Sequence, residues 1–253
     1  MTEPLTVESY SALAPIYDEV MMHVDYHAWA IYISELIHEF CPGGSTMLEL
    51  GCGTGSLALF LTDLVDLQYA GFDSSEAMIH QARLKSETRT DPTDVQFYVD
   101  DFLGFSCRSS FDVGLLLYDG LNYLQHPADV VTLLENSRRC MHPDSILIFD
   151  VSTPANSIKN AEYFEDYGKG DDFSYYRTSE YDREARLHRT TFQVTTDEGV
   201  FVEEHVQRAF SRAEVLDFVD QADLVCLAAL DDFSTLDADD NSERIHFVVR
   251  RKQ

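Results

Sequence analysis

An acid followed by three alternating glycines is the densest cluster of chemical capability in the sequence: Glu49-Leu50-Gly51-Cys52-Gly53-Thr54-Gly55. The apolar run that contains the acid, Met47-Leu48-Glu49-Leu50, reads as a buried strand, and Leu57, Leu61, Leu64 and Val65 recur afterwards at helical spacing. Strand, glycine loop and helix start bring one carboxylate and several free backbone N–H groups to a single point. Glycine lets that backbone turn with positive φ and come close to a ligand, and the helix N-terminus favours electron-rich groups. The third glycine falls one residue too early for the Gly-x-Gly-x-x-Gly dinucleotide fingerprint. No Gly-Lys-Ser/Thr follows, which excludes a phosphate-binding P-loop.

Further along the chain, more acids stand where strands end. Asp73 closes Gln68-Tyr69-Ala70-Gly71-Phe72, eighteen residues past Gly55, and its two oxygens suit a pair of ribose hydroxyls. Ser74 or Ser75 then caps a helix containing Met78. Val95–Val99 is a third strand, followed by Asp100 and Asp101. The apolar run 111–118 reads as a central strand covered on both faces, and it delivers Tyr118, Asp119, Asn122 and Tyr123 to its carboxyl end. In open α/β sheets that end is where ligands lie. Tyr10, Tyr17, Tyr26 and Trp29 lie before the first strand, either as core packing or as a covering segment. His205 stands on a later strand, as a packing residue or as a base.

Glu-x-Gly-x-Gly-x-Gly resembles the first motif of class I S-adenosylmethionine-dependent methyltransferases, and Gly71-Phe72-Asp73-Ser74-Ser75-x-x-Met78 looks like their second. The resemblance implies that the loop backs the methionyl part of the cofactor and that Glu49 orients its amino group. It gives Asp73 the ribose and Met78 the adenine. For the acid that takes the adenine amino group, two registers exist; Asp101, with Phe102 and Phe105 behind it, fits the family pattern better than Asp100. Cofactor contact is thereby expected at Tyr17, Glu49, Gly51, Cys52, Gly53, Gly55, Asp73, Ser74, Met78, Asp101, Phe102 and Tyr118. Tyr-x-x-x-Ala-x-x-Tyr-Asp around Tyr17 is similar to the N-terminal segment of glycine and amino-sugar N-methyltransferases, and Asp119-x-x-Asn122-Tyr123-Leu124 is similar to a segment of small-molecule methyltransferases. Tyr17, Tyr123 and His205 are the candidates for the reaction centre. The Asn/Asp-Pro-Pro-Tyr/Phe signature of enzymes that methylate amino groups of DNA, RNA and protein does not occur.

The elements that must position these residues follow the same resemblance. The expected fold is α/β: a Rossmann-like, doubly wound sheet of seven strands in the order 3-2-1-4-5-7-6, strand 7 antiparallel. One methyltransferase domain spans residues 1–253. Residues 1–41 form an N-terminal helical lid, with a short helix broken at Pro15 and an amphipathic helix from Tyr26 to Phe40. Residues 171–210 form a small antiparallel β cap inserted after strand 5, which either shapes the substrate pocket or mediates a homodimer. In its last run Val200, Val202, Val206 and Phe210 share one face, and Phe201, Glu203, His205 and Gln207 the other. Ser86–Asp94 reads as a loop, as does the acidic tract Asp231–Ser242, and Met141–Ser145 as a turn.

The chain has 253 residues with a net charge of −27. That surface repels phosphate backbones, so no nucleic-acid partner is expected. No apolar run is long enough for a membrane span, and the first residues show no signal-peptide pattern. The five scattered cysteines read as reduced thiols of a cytoplasmic protein, with no metal site. The expected function is transfer of a methyl group from S-adenosylmethionine to nitrogen or oxygen of a small molecule, with S-adenosylhomocysteine as product. The rival readings are an RNA or protein methyltransferase, a cofactor-binding module without catalysis, and a nicotinamide oxidoreductase, which the glycine spacing disfavours.

Overall fold

The computed structural model describes residues 3–88, 95–160 and 163–252. In chain order the elements are β1 (Leu5–Thr6), α1 (Tyr17–Val20), α2 (Tyr26–Phe40), β2 (Thr46–Leu50), α3 (Ser56–Leu61), β3 (Gln68–Asp73), α4 (Glu76–Glu87), β4 (Val95–Val99) and β5 (Phe111–Leu116). They continue with α5 (Pro127–Arg139), β6 (Met141–Ser152), α6 (Pro154–Asn160), β7 (Tyr163–Lys169), β8 (Phe173–Asp182), β9 (Leu187–Thr196), β10 (Gly199–Arg208), α7 (Arg212–Gln221), β11 (Leu224–Asp231) and β12 (Arg244–Arg251).

Seven strands form one sheet in the order β11-β12-β6-β5-β2-β3-β4. From the β4 edge this is the expected 3-2-1-4-5-7-6. β12 runs antiparallel to both of its neighbours, while the rest pair parallel. Strand side chains alternate between two cores, as a sheet covered on both faces requires. Met47, Leu115, Ile146 and Ile148 pack with α2, α3 and α4; Leu50, Leu116, Leu147 and Phe149 pack with α5 and α7. Asp25 caps α2 through Ala28 N–H, Ser75 rather than Ser74 caps α4, and Ser211 and Glu214 form a capping box on α7.

The segment after β6 builds a second sheet, β1-β10-β9-β8-β7. Its strands β8, β9 and β10 fall within residues 171–210, where the antiparallel insert was expected. Two members were not expected: β7, which pairs antiparallel with β8, and β1, which pairs parallel with β10 and stitches the N-terminus to the insert. Leu13, Ile16 and Val20 pack on Phe192 and Val194 as a small separate core.

Several local expectations are corrected. Pro15 does not break a helix; it opens a 3-10 turn, Ala14–Ile16, that leads into α1. Met141–Ser145 is not a turn but the first part of β6, with a register shift against β5. The loop expected at 86–94 starts later, since α4 runs to Glu87; residues 89–94 lie outside the described residues. Cys107 and Cys140 are not separate thiols. They are joined as a disulfide, with Cα atoms 5.5 Å apart, because the loop after β4 comes back across the C-terminal end of α5. Among the described residues no helix is long and apolar enough to cross a membrane.

Candidate active site

The glycine loop leaves β2 at the carboxyl end of the sheet. Gly51 and Cys52 both donate to the Phe72 carbonyl, at 2.7 and 2.9 Å, which ties the loop to the end of β3. Gly53 and Gly55 have φ of 55° and 72°, a region that residues with a Cβ rarely occupy. They differ in what surrounds them. A Cβ on Gly55 would sit 2.8 Å from the Phe97 ring, whereas one on Gly53 would meet nothing within 4 Å. Gly55 therefore serves packing at the start of α3, and Gly53 faces open space.

That space is a cavity of about 350 Å³ lined by Gly51, Gly53, Asp73, Ser74, Met78, Asp101, Phe102 and Tyr118, and closed by Tyr10, Tyr17 and Tyr123. A smaller pocket of about 60 Å³ adjoins it, lined by Glu49, Cys52, Tyr26 and Trp29; the two share Gly51, Gly53, Tyr17, Leu117 and Tyr118. The structure thus gathers eleven of the twelve residues read as cofactor contacts around two connected hollows. Gly55 lines neither.

The acids differ in their surroundings. Glu49 is buried and accepts a short hydrogen bond from the Tyr69 hydroxyl. Burial pushes its carboxyl up to about 7, with the Tyr69 bond acting the other way and the Asp73 charge adding to the rise. Asp73 accepts from Gly53 N–H at 3.1 Å and Ser75 N–H at 2.9 Å, so loop, strand end and α4 are fixed by one side chain. Burial still raises its carboxyl above the ordinary range. Asp101 uses Oδ1 to hold the N–H groups of Leu103 and Gly104. Asp100 also lines the cavity.

The remaining candidates separate clearly. Tyr123 lies in the cavity wall; its hydroxyl shares a short hydrogen bond with that of Tyr10 and lies 3.2 Å from His205 Nδ1. His205 is not in the wall but directly behind it, and its Nε2 is 3.2 Å from Glu203 Oε2. The face of β10 that carries Glu203 and His205 is the buried one at that point, while Val202 and Val206 are half-exposed. Asp119 and Asn122 are not free to act as bases. Asp119 and Asp150 both pair with Arg244. Asn122, only 1% exposed, donates to the carbonyls of Ser152 and Arg208 and accepts from Ser152 N–H. Burial raises the hydroxyls of Tyr10, Tyr17 and Tyr123, so near neutrality they are protonated donors and not phenolates.

Three residues of this site escaped the sequence reading: Tyr10 as more than a covering aromatic, Glu203, and Arg244. Glu203 and His205 share a strand face at i and i+2, which was visible; that this face is buried was not.

Residues 47–144 match the family model described as a methyltransferase domain. The chain carries a class I, S-adenosylmethionine-dependent methyltransferase fold. It is 29% identical over 251 residues to the provisionally named methyltransferase YqeM of Bacillus subtilis (strain 168), covering 96% of this chain and 98% of that protein. A solved S-adenosylmethionine-dependent methyltransferase from Clostridium acetobutylicum is similar with a TM-score of 0.81 at 22% identity, covering 96% of this chain and 99% of that one. The sugar N-methyltransferase KedS8 from a Streptoalloteichus species superposes with a TM-score of 0.75 at 21% identity, covering 100% and 99%. The match ends before β7, so the matched residues carry the glycine loop, Asp73, Asp101 and Tyr123 but not His205 or Glu203.

Proposed function

We propose that this methyltransferase takes S-adenosylmethionine and passes its methyl group to nitrogen or oxygen of a small molecule. The observation that carries the reading is the pair of connected hollows. Glu49 lines one and Asp73 with Asp101 the other, and Tyr17 and Tyr118 line both. The donor set fits the cofactor. A buried carboxylate suits an ammonium group, Asp73 suits vicinal hydroxyls, and the Met78 and Phe102 side chains offer soft apolar walls to an adenine. When bound, S-adenosylmethionine supplies an electrophilic methyl whose bonding pair stays with sulfur.

The chain's own residues then bind, orient and exclude water. The N-terminal segment covers the cavity with Tyr10 and Tyr17, while the insert backs that wall through His205 behind Tyr123; covering excludes water that would disturb alignment. The sugar N-methyltransferase among the structural relatives favours a small acceptor. The charge of −27 disfavours a nucleic acid; salt-sensitive retention of RNA in a gel shift at micromolar protein would contradict that part of the reading.

Asp73→Ala tests the ribose assignment. It removes two acceptor oxygens and is expected to weaken S-adenosylhomocysteine binding by about 1.5–3 kcal/mol, the range for hydrogen bonds to a charged group. Titration calorimetry reads the loss, and unchanged affinity would withdraw Asp73 from the ribose.

The raised range of Glu49 gives a second test. Its folded value lies above its unfolded one, so between about 4.5 and 7 the folded chain retains a proton that the unfolded chain has released. The associated stability is fully present at low pH and is lost as pH rises through about 7. A ligand ammonium beside Glu49 favours the ionised form. Affinity is therefore expected to rise from pH 5.5 to 7, by up to about tenfold per unit, with release of one proton. Calorimetry in two buffers of different ionisation heat measures that proton. Glu49→Gln should remove the pH dependence; its persistence in that variant would assign it elsewhere.

A further inference from the structure

Glu203 is fully buried, and a buried carboxylate needs donors around it. Three of its donors are backbone N–H groups of the N-terminal segment: Ala12 at 2.5 Å and Leu13 at 2.9 Å to Oε1, and Tyr10 at 2.7 Å to Oε2. The fourth is His205 Nε2, at 3.2 Å. Burial alone would push the Glu203 carboxyl up; the bonds from His205, Leu13, Ala12 and Tyr10 more than offset this and hold it below its ordinary range.

From Glu203 a continuous path leads to the cavity. His205 Nδ1 reaches the Tyr123 hydroxyl, which shares a short hydrogen bond with the Tyr10 hydroxyl, and both tyrosines line the cavity. Tyr10 stands at both ends of the path, its hydroxyl at the cavity and its N–H on Glu203. Its backbone is left-handed, with φ of 66°. A bulky residue persists there only where its surroundings over-determine it.

We propose that Glu203 is a shared anchor. It orients His205 to take an acceptor proton through Tyr123, and by holding the backbone of residues 10–13 it makes that path complete only while the N-terminal segment lies shut. The proposal rests on the methyl-transfer reading of the same cavity and narrows its substrate class to acceptors that must lose an O–H or N–H proton. The acceptor proton passes to the Tyr123 oxygen as the tyrosine's own proton passes to His205 Nδ1. The resulting imidazolium keeps its Nε2–H on Glu203, and nothing is oxidised or reduced. An imidazole is the side chain suited to take and return a proton near neutrality. Opening the segment afterwards exposes His205 to water, where the proton leaves.

The groups facing His205 come from every neighbouring element. Tyr10 lies 4.6 Å away ring to ring, with Tyr17 edge-on behind it. Tyr123 comes from the turn after β5. Thr190 stands opposite on β9, and Phe192 contributes an uncharged wall at 5.5 Å. The charges of Asp119, Asp73 and Glu203 all act on Tyr123.

The test uses the full chain and two variants. The readouts are ¹⁵N-imidazole NMR, hydrogen exchange of residues 8–17, and S-adenosylhomocysteine formation with a pooled low-molecular-weight metabolite fraction. In the parent, His205 Nε2 is expected to carry a proton bonded to Glu203. Glu203→Gln should weaken that bond and speed exchange at Ala12 and Leu13 at least tenfold, as expected for lost charge-assisted bonds. His205→Asn should lower kcat by about 10²–10⁴, the usual worth of a general base, leave KM within about threefold since substrate contacts are untouched, and leave exchange at residues 8–17 as in the parent. Exchange unchanged in Glu203→Gln would overturn the anchor, and full kcat in His205→Asn would overturn the relay. Failure of the methyl-transfer reading itself would show separately, as absence of S-adenosylmethionine binding in the parent by calorimetry.

Discussion

Arg244→Met is expected to destabilise the fold by about 3–5 kcal/mol, the cost of breaking a buried ion pair and leaving its partner charge behind. For a chain of this size that corresponds to about 6–10 °C in Tm. Arg244 opens β12, beside β6, and pairs with Asp150 of β6 and with Asp119 beyond β5. Asp150 is fully buried. The guanidinium also lies over the rings of Trp29 and Tyr118, at 5.5 and 5.7 Å. One side chain therefore holds together the interior strands β12 and β6, α2 and the turn that presents Tyr118 and Tyr123. Tyr118 and Asp119 are both left-handed, with φ of 62°, and the ion pair helps hold that strained turn. Thermal denaturation followed by near-UV circular dichroism measures the loss. The double variant Arg244→Met with Asp119→Asn should recover part of it, because much of the cost lies in the stranded carboxylate. A single variant within about 1 kcal/mol of the parent, the level of an exposed pair, would show that the cluster is solvated.

Deleting residues 1–20 is expected to reduce turnover by about 10²-fold or more, the scale on which misplacing the reacting groups acts, while the seven-stranded sheet stays folded. Neither large core contains a residue before Trp29 among its buried members; the deletion removes Leu13, Ile16 and Val20 from the separate small core on Phe192 and Val194. It also removes Tyr10 and Tyr17 from the cavity wall, the Asp18 carboxylate from Lys85, and three of the four donors to Glu203. Tyr17→Phe should cost activity more than stability, since only a hydroxyl is lost. The measurement is S-adenosylhomocysteine formation with pooled metabolites, beside a melting curve. Full activity after the deletion would reject the lid, and activity only on macromolecular fractions would reject a small acceptor.

The end of the cavity built from acids and glycines was legible because it is local. Glu49, the glycines and the start of α3 are neighbours in sequence, and Asp73 and Asp101 follow at the next two strand ends. The parallel sheet forces successive strand ends to one edge, so a reader who finds the strands has placed the acids. The strand order followed from the family resemblance, and the antiparallel insert from local alternation and turn residues. Those local signals failed for the insert's edges, where β7 and β1 are short or polar and only pairing reveals them.

What lies opposite the acids could not be read along the chain. Tyr10 and Glu203 are 193 residues apart, and Tyr123 and His205 are 82 apart. Alternation in β10 divides its side chains into two faces, but a period of two does not say which face is covered. The polar face is buried at Glu203 and His205 because the N-terminal segment lies on it and supplies N–H donors. Asp119 shows the converse: its position after β5 suggests a base, and Arg244, 125 residues later, makes it a structural ion. Cys107 and Cys140 carry no spacing signature, and only the return of the loop onto α5 brings them together. The sequence by itself determined the strand-end acids, the glycine loop and the sheet that aligns them, since each follows from residues adjacent in the chain. The tertiary structure alone decided the pairing of Glu203 with His205, of His205 with Tyr123 and of Asp119 with Arg244, because a buried charge takes its meaning from whichever distant group is packed against it.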